Sequence, residues 1–283
     1  MLFVKVIEKI VSIGIASAYV SNERKPLSLL LLADPECGKT SILTGFDFKK
    51  LKCIHVFSDI TKLKMTSLLS RIENPEKNLR YIIVPDFTRV LSHSKSARNN
   101  VISFLNVGIE EGLADLTMYY GSSFADVRKF KQPLCFGLAT AMTKEYMSDA
   151  RRGWNKIGFL SRLLPVSFKY TKEQADKIME HLAYSRDLGK QIKKLPIKKM
   201  KVECSGDHVL KLKPYIDDLI ASTFMYGFRY TIQFRLMLKA HALLRGAKEV
   251  TRTDVKGVRK LLKWVNMKYN PVEEEDDEEE EKK

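Results

Sequence analysis

The sequence predicts an α/β fold, a parallel sheet held between helices and followed by a smaller, mostly helical domain. Three observations carry that expectation. Short apolar runs (LSLLLLA, CIHVF, YIIVP, LCFGLAT) alternate with helix-length stretches, as strands buried on both faces do. From about Tyr170 the alternation gives way to helical periodicity that runs to Asn266. The apolar fraction is 45% of 283 residues, enough to bury a core of this size. The expected division is an α/β body over 1–168, a helical domain with a basic insert over 169–268, and an acidic tail over 269–283.

Taken in order, LFVKVIEKIVSIGIASAYV reads as a helix, with Val4, Ile7, Val11, Ile15 and Ala18 on one stripe. Lys5, Glu8 and Lys9 interrupt it, so it suits neither a membrane span nor a signal segment, and a cytoplasmic location is expected. LSLLLLA is then a strand, with a helix from Thr40; CIHVF is the next, with a helix through Leu69. YIIVP precedes a long helix from about Ser96 to Glu111, and LTMYY and LCFGLAT complete the strands. Two helical pieces flank the insert KKLPIKKMKVECSGDHVLKLKP. In the helical end, Tyr230, Phe234, Met237 and Leu238 share one stripe, and Val255, Val258, Leu261, Leu262 and Val265 another. Thr251 and Asp254 have the spacing of a capping box, and His241 reads as a packed or surface histidine.

Nine of the 34 acids lie in the tail Glu273–Glu281, which cannot bury anything and is expected to be disordered. Without residues 273–283 the body holds 47 basic against 25 acidic residues, a net of +22. So basic a body favours a polyanionic partner, because neutralising phosphates releases counterions. Cys37, Cys53, Cys135 and Cys204 show no paired spacing, which argues against a zinc site or disulfide framework.

The chemistry concentrates in LLLLADPECGKTSIL. Ala33-Asp34-Pro35-Glu36-Cys37-Gly38-Lys39-Thr40, followed by Ser41, lies between a strand and a helix, where backbone amides cradle phosphates. Those donors are main-chain, so alanine at the usual glycine position removes none of them. Lys39 would reach the outer phosphates of ATP, and the Thr40 hydroxyl would hold Mg²⁺. Asp86, 47 residues beyond Lys39 at the end of YIIVPDF, is the second candidate for holding Mg²⁺. Phe87 follows, where many P-loop ATPases carry the glutamate that polarises the attacking water. Glu110 and Glu111 are the substitutes within the next helix.

These motifs resemble those of AAA+ ATPases. The resemblance places the family's sensor 1 residue at Thr140, with Thr143 as the fallback. Within GFLSRLLPVSF it makes Arg162 the finger that reaches a neighbouring subunit's γ-phosphate, with Arg151 and Arg152 as alternatives. GFRYTIQFRLMLKAHALLRGAKEVTRTDVKGVRKLL is similar to the lid of MCM-type helicases, which makes Arg229 the sensor 2 candidate. The resemblance spans roughly residues 5–268. It implies a five-stranded parallel sheet with a C-terminal helical lid, and ATP sites shared in a ring or filament such as a hexamer. A β-hairpin within IEEGLADLTMYYGSSFADVRKFKQPL takes the place of a pore hairpin. Its Arg128, Lys129 and Lys131 offer charge to phosphates, and Tyr119 and Tyr120 offer faces to bases.

The expectation is therefore an oligomeric, ATP- and Mg²⁺-dependent AAA+ ATPase acting on DNA as a loader, remodeller or translocase. Other replication or DNA-processing proteins are expected partners. Ala33, Phe87 and a threonine at sensor 1 depart from the family pattern. They keep open a nucleotide-gated DNA scaffold with little hydrolysis, in which Phe87→Glu should raise turnover. A small-molecule P-loop kinase is the third reading.

Overall fold

The structure, a computed structural model, describes residues 3–72, 74–115, 129–184, 192–195, 197–223 and 226–272. Helix α1 (Lys5–Ser17) precedes strand β1 (Leu29–Leu32), helix α2 (Lys39–Thr44) and strand β2 (Ile54–Val56). Helices α3 (Lys62–Arg71) and α4 (Pro75–Asn78) lead to β3 (Tyr81–Val84), followed by α5 (Thr88–Leu91) and α6 (Lys95–Ile109). Strands β4 (Leu113–Asp115), β5 (Lys129–Leu134) and β6 (Gly137–Met142) come next, then α7 (Lys144–Lys156) and β7 (Leu164–Lys169). The rest is α8 (Lys172–Tyr184), α9 (Gly206–Leu210), α10 (Lys213–Thr223), α11 (Phe228–Leu244), α12 (Arg252–Leu261) and β8 (Asn270–Pro271).

The main sheet is parallel throughout, in the order β2-β3-β6-β1-β7-β8. It has six strands where five were expected. The sixth, β8, forms because the chain returns to the sheet after α12. Tyr269 N donates to Ser167 Oγ at 2.9 Å, and Trp264 Nε1 donates to the Pro271 carbonyl at 3.0 Å. Residues 269–272, read from sequence as the start of the tail, thus pack along the sheet edge, with Val272 buried. β4 and β5 form a separate antiparallel pair, the arms of a hairpin. LTMYY, with Tyr119 and Tyr120, and Arg128 lie outside the described residues.

Both faces of the sheet are covered, which explains the unbroken leucines of β1. Leu29 and Leu31 join a core with α1, α11 and α12, while Leu30 and Leu32 join another with α3, α6 and Trp154 of α7. α1 is buried on nearly every side, beyond its expected stripe, because it lies between the sheet and α11. Gly14 lets α1 lie close on the sheet: a Cβ there would fall 2.5 Å from Leu29 Cδ1 and 2.8 Å from Tyr81 Oη. Among the described residues, no helix is long and apolar enough to cross a membrane.

Candidate functional site

Parallel strands bring all their carboxyl ends to one edge, where ligands of open α/β sheets bind. Leu30, Thr140 and Val84 stand level across β1, β6 and β3. The segments that follow those strands, from Ala33, Thr143 and Pro85, therefore emerge side by side. β1 has β6 on one flank and β7 on the other, so its loop opens where the strand order diverges.

The left-handed backbone in this loop falls on Glu36 (φ 62°) and Gly38 (φ 74°). Ala33 is buried and makes no such demand, which is why alanine is tolerated there. Lys39 Nζ donates to the carbonyls of Ala33 (2.9 Å) and Asp34 (2.6 Å). Burial pushes the Lys39 ammonium below its ordinary pKa, and Cys37, Asp34, Asp86 and Glu145 counter that shift. Asp86, across β6 from the loop, is thus close enough for its charge to act on Lys39. Asp86 Oδ1 accepts from Thr88 N at 3.0 Å and Thr88 Oγ1 at 2.5 Å, and the side chain is 42% exposed. Pro35, Glu36 and Thr40 are exposed, Ser41 is half-buried, and Cys37 is buried with its thiol pushed up by that burial. The Tyr170 hydroxyl donates to the Cys37 carbonyl at 3.4 Å and braces the loop from β7's side. The residues fit a Mg²⁺-triphosphate: an accessible carboxylate and hydroxyl for the metal, with an ammonium beside them.

Two neighbours of this site were unexpected. Lys144 Nζ lies 2.7 Å from Asp34 Oδ1, and Glu145 follows it in the first turn of α7. Their position directly after LCFGLATAMT was the available signal. Phe87 is fully buried, edge-on to Trp154 at 5.4 Å and stacked on Phe159 at 5.9 Å. Thr140 is also fully buried and donates to the Val84 carbonyl at 2.7 Å, short of the edge, whereas Thr143 is half-buried at the edge.

Arg162 and Arg229, with Glu110 and Glu111, gather at the opposite, amino edge of the sheet. Arg162 ends the turn before β7. It donates to the Gly158 carbonyl at 2.5 Å and pairs with Glu111 at 3.4 Å. Its side chain is 10% exposed, and its Nε has no acceptor among the described residues. Arg229 donates to Ser161 Oγ at 2.8 Å and pairs with Glu110 at 3.3 Å, and Lys25 meets the same Glu110 at 2.5 Å. Burial raises Glu110, but Lys25, Arg229 and Arg162 outweigh it and hold the carboxyl below its ordinary pKa. Glu110 and Glu111 therefore face these cations, not the loop between β1 and α2. A cavity of about 490 Å³ adjoins Arg229, beside the exposed, mutually stacked Tyr226 and Phe228. Arg151 donates to the Ser222 carbonyl, and Arg152 is exposed. Within one chain, then, Lys39 and Asp86 share one edge while Arg162 and Arg229 share the other.

The basic residues converge more than their spacing suggested. Lys193 N donates to the Gly45 carbonyl and Asp47 N to the Lys193 carbonyl, at 2.9 and 3.0 Å. That lays the insert beside the segment carrying Lys49, Lys50 and Lys52, and Lys199 comes close enough to act on Cys53. Lys49, Lys50, Lys52, Lys194, Lys198 and Lys199 are all exposed along these two adjoining segments. Lys131 is exposed on β5, and Lys129 opens that strand. Compared with known proteins, the chain matches no family model and no curated protein.

Proposed function

We propose that this protein is an AAA+-type, Mg²⁺-dependent ATPase that assembles head to tail and acts on DNA. The observation that carries the reading is the carboxyl edge, where a Gly38-Lys39-Thr40 loop and the strand-end Asp86 face one mouth. The order of the first five sheet strands, β2-β3-β6-β1-β7, with the helices α10 to α12 after them, agrees with an AAA+ core followed by a lid.

In this reading the loop amides bind the phosphates and Lys39 leaves the two carbonyls for the outer phosphate oxygens. Thr40 and Asp86 hold Mg²⁺, which would neutralise charge developing on the phosphates. Arg162 and Arg229 lie on the far edge, so they serve a neighbour's nucleotide. A contact between unlike edges is heterologous and builds a ring or a filament. The six exposed lysines of the two adjoining segments, with Lys129 and Lys131 on the β5 arm of the hairpin, supply the phosphate contacts for DNA.

The burial of Phe87 favours a second reading, an ATP-gated DNA scaffold with little turnover. The deciding experiment measures phosphate release and light scattering with ATP, alone and with single- or double-stranded DNA. The ATPase reading expects turnover that DNA stimulates, that Lys39→Ala abolishes and that Arg162→Ala weakens. ATP-dependent oligomers without phosphate release select the scaffold. Full activity in both variants overturns the ATPase reading.

A further inference from the structure

Asp34 is held twice. Its carbonyl accepts from Lys39 Nζ at 2.6 Å, and its carboxylate pairs with Lys144 Nζ at 2.7 Å. Two ammonium groups thus meet on a single residue of the phosphate loop. One comes from the start of α2 and the other from the start of α7. Lys144 leaves β6, the strand hydrogen-bonded to β1, so the sheet fixes where its backbone stands.

Thr140 spends its hydroxyl on the Val84 carbonyl inside the sheet. The cationic group that β6 delivers to the mouth is Lys144, one strand over from the β3 end that carries Asp86, and it meets Lys39 on Asp34. Asp34 raises the Lys144 pKa, and Glu145 adds to that, so the ammonium keeps its charge. Asp34 and Lys144 are 41% and 47% exposed, and so open a pair is a weak one. An oxygen of a multiply charged phosphate chain is a stronger acceptor for the same ammonium than a solvated carboxylate.

The geometry points to Lys144 as a second phosphate-binding lysine, specific for the terminal phosphate of a nucleoside triphosphate, for which Asp34 is the competing acceptor. This deepens the proposed function and rests on its nucleotide reading. It also gives the acid in the loop a role: Asp34 holds Lys144 at the mouth, within reach of the γ-position, and yields it when a triphosphate enters. A diphosphate reaches only the amides and Lys39, so the carboxylate keeps Lys144.

The test compares Mg-ATP and Mg-ADP affinities by titration calorimetry in the wild type, Lys144→Ala, Lys144→Arg and Asp34→Asn. Lys144→Ala should weaken Mg-ATP about tenfold while changing Mg-ADP by less than about threefold. Lys144→Arg should restore most of the ATP affinity, and Asp34→Asn should tighten ATP more than ADP. Equal losses for both nucleotides, or no loss for either, overturn the assignment while leaving the nucleotide site standing. A wild-type chain that binds neither nucleotide overturns the nucleotide reading itself, and the role of Lys144 with it.

Discussion

Glu36 occupies a left-handed backbone conformation that costs a non-glycine residue about 1 kcal/mol, and it adds a negative charge at the mouth of the proposed nucleotide site. Glu36→Gly should remove both penalties and tighten Mg-ATP binding several-fold, an outcome readable by calorimetry. Phe87 carries the opposite lesson. Its position after Asp86 invited the expectation that a glutamate there would restore hydrolysis. The ring is instead enclosed by Trp154 and Phe159, with no exposure. Phe87→Glu would place a carboxylate where nothing pairs with it, so it should destabilise the fold by about 3–5 kcal/mol rather than raise turnover. Urea unfolding distinguishes the two; a stable, faster enzyme would refute the packing argument.

At the scale of elements, the start of α12 shows how local chemistry becomes a tertiary clamp. Asp254 accepts from Thr251 N at 2.8 Å in the capping box, and also from Arg245 Nε at 2.8 Å and His241 Nδ1 at 2.8 Å on α11 and its end. Burial works to raise the Asp254 pKa, but Arg245, Thr251 and His241 outweigh it and hold the carboxyl far below the usual range. A depressed carboxylate stabilises the fold above its unfolded pKa of about 4 and loses that contribution as pH falls through the folded value. Burial lowers the His241 pKa more than Asp254 restores it, so this histidine too favours the folded state at pH above about 6.5. Asp254→Asn should therefore cost about 2 kcal/mol at pH 7 and progressively less below pH 4, as measured by unfolding at both pH values. The cap was legible because its residues are neighbours in sequence. Strands β1, β2, β3 and β6 were legible for the same reason, since apolar runs between turns report burial directly, whereas β7, inside GFLSRLLPVSF, was not read as a strand. β8 was not, because two residues carry no pattern and their place depends on Ser167 and Trp264. Nor was the separation of Arg229 from Lys39, because the sequence shows which residues carry charge but not which edge of the sheet they leave.

Across the whole molecule, the net charge of +22 outside residues 273–283 acquires a location. Two lysine-rich segments remote in sequence adjoin because the insert is hydrogen-bonded to residues 45–47. If those segments bind DNA, replacing Lys49, Lys50 and Lys52 with alanine should lower the slope of log affinity against log salt by about 3. An unchanged slope, read by fluorescence anisotropy at several salt concentrations, would place the DNA elsewhere. The proposed head-to-tail assembly likewise assigns the two edges complementary work: phosphates and metal at one, arginines at the other. All of this depends on the loop between β1 and α2 taking a metal-bound triphosphate. Titration calorimetry of the purified chain with ATP, with and without Mg²⁺, measures that directly. The account predicts a saturable, Mg²⁺-dependent heat of association that Lys39→Ala removes. The absence of any such heat in the wild type, or its persistence at full strength in Lys39→Ala, would contradict it.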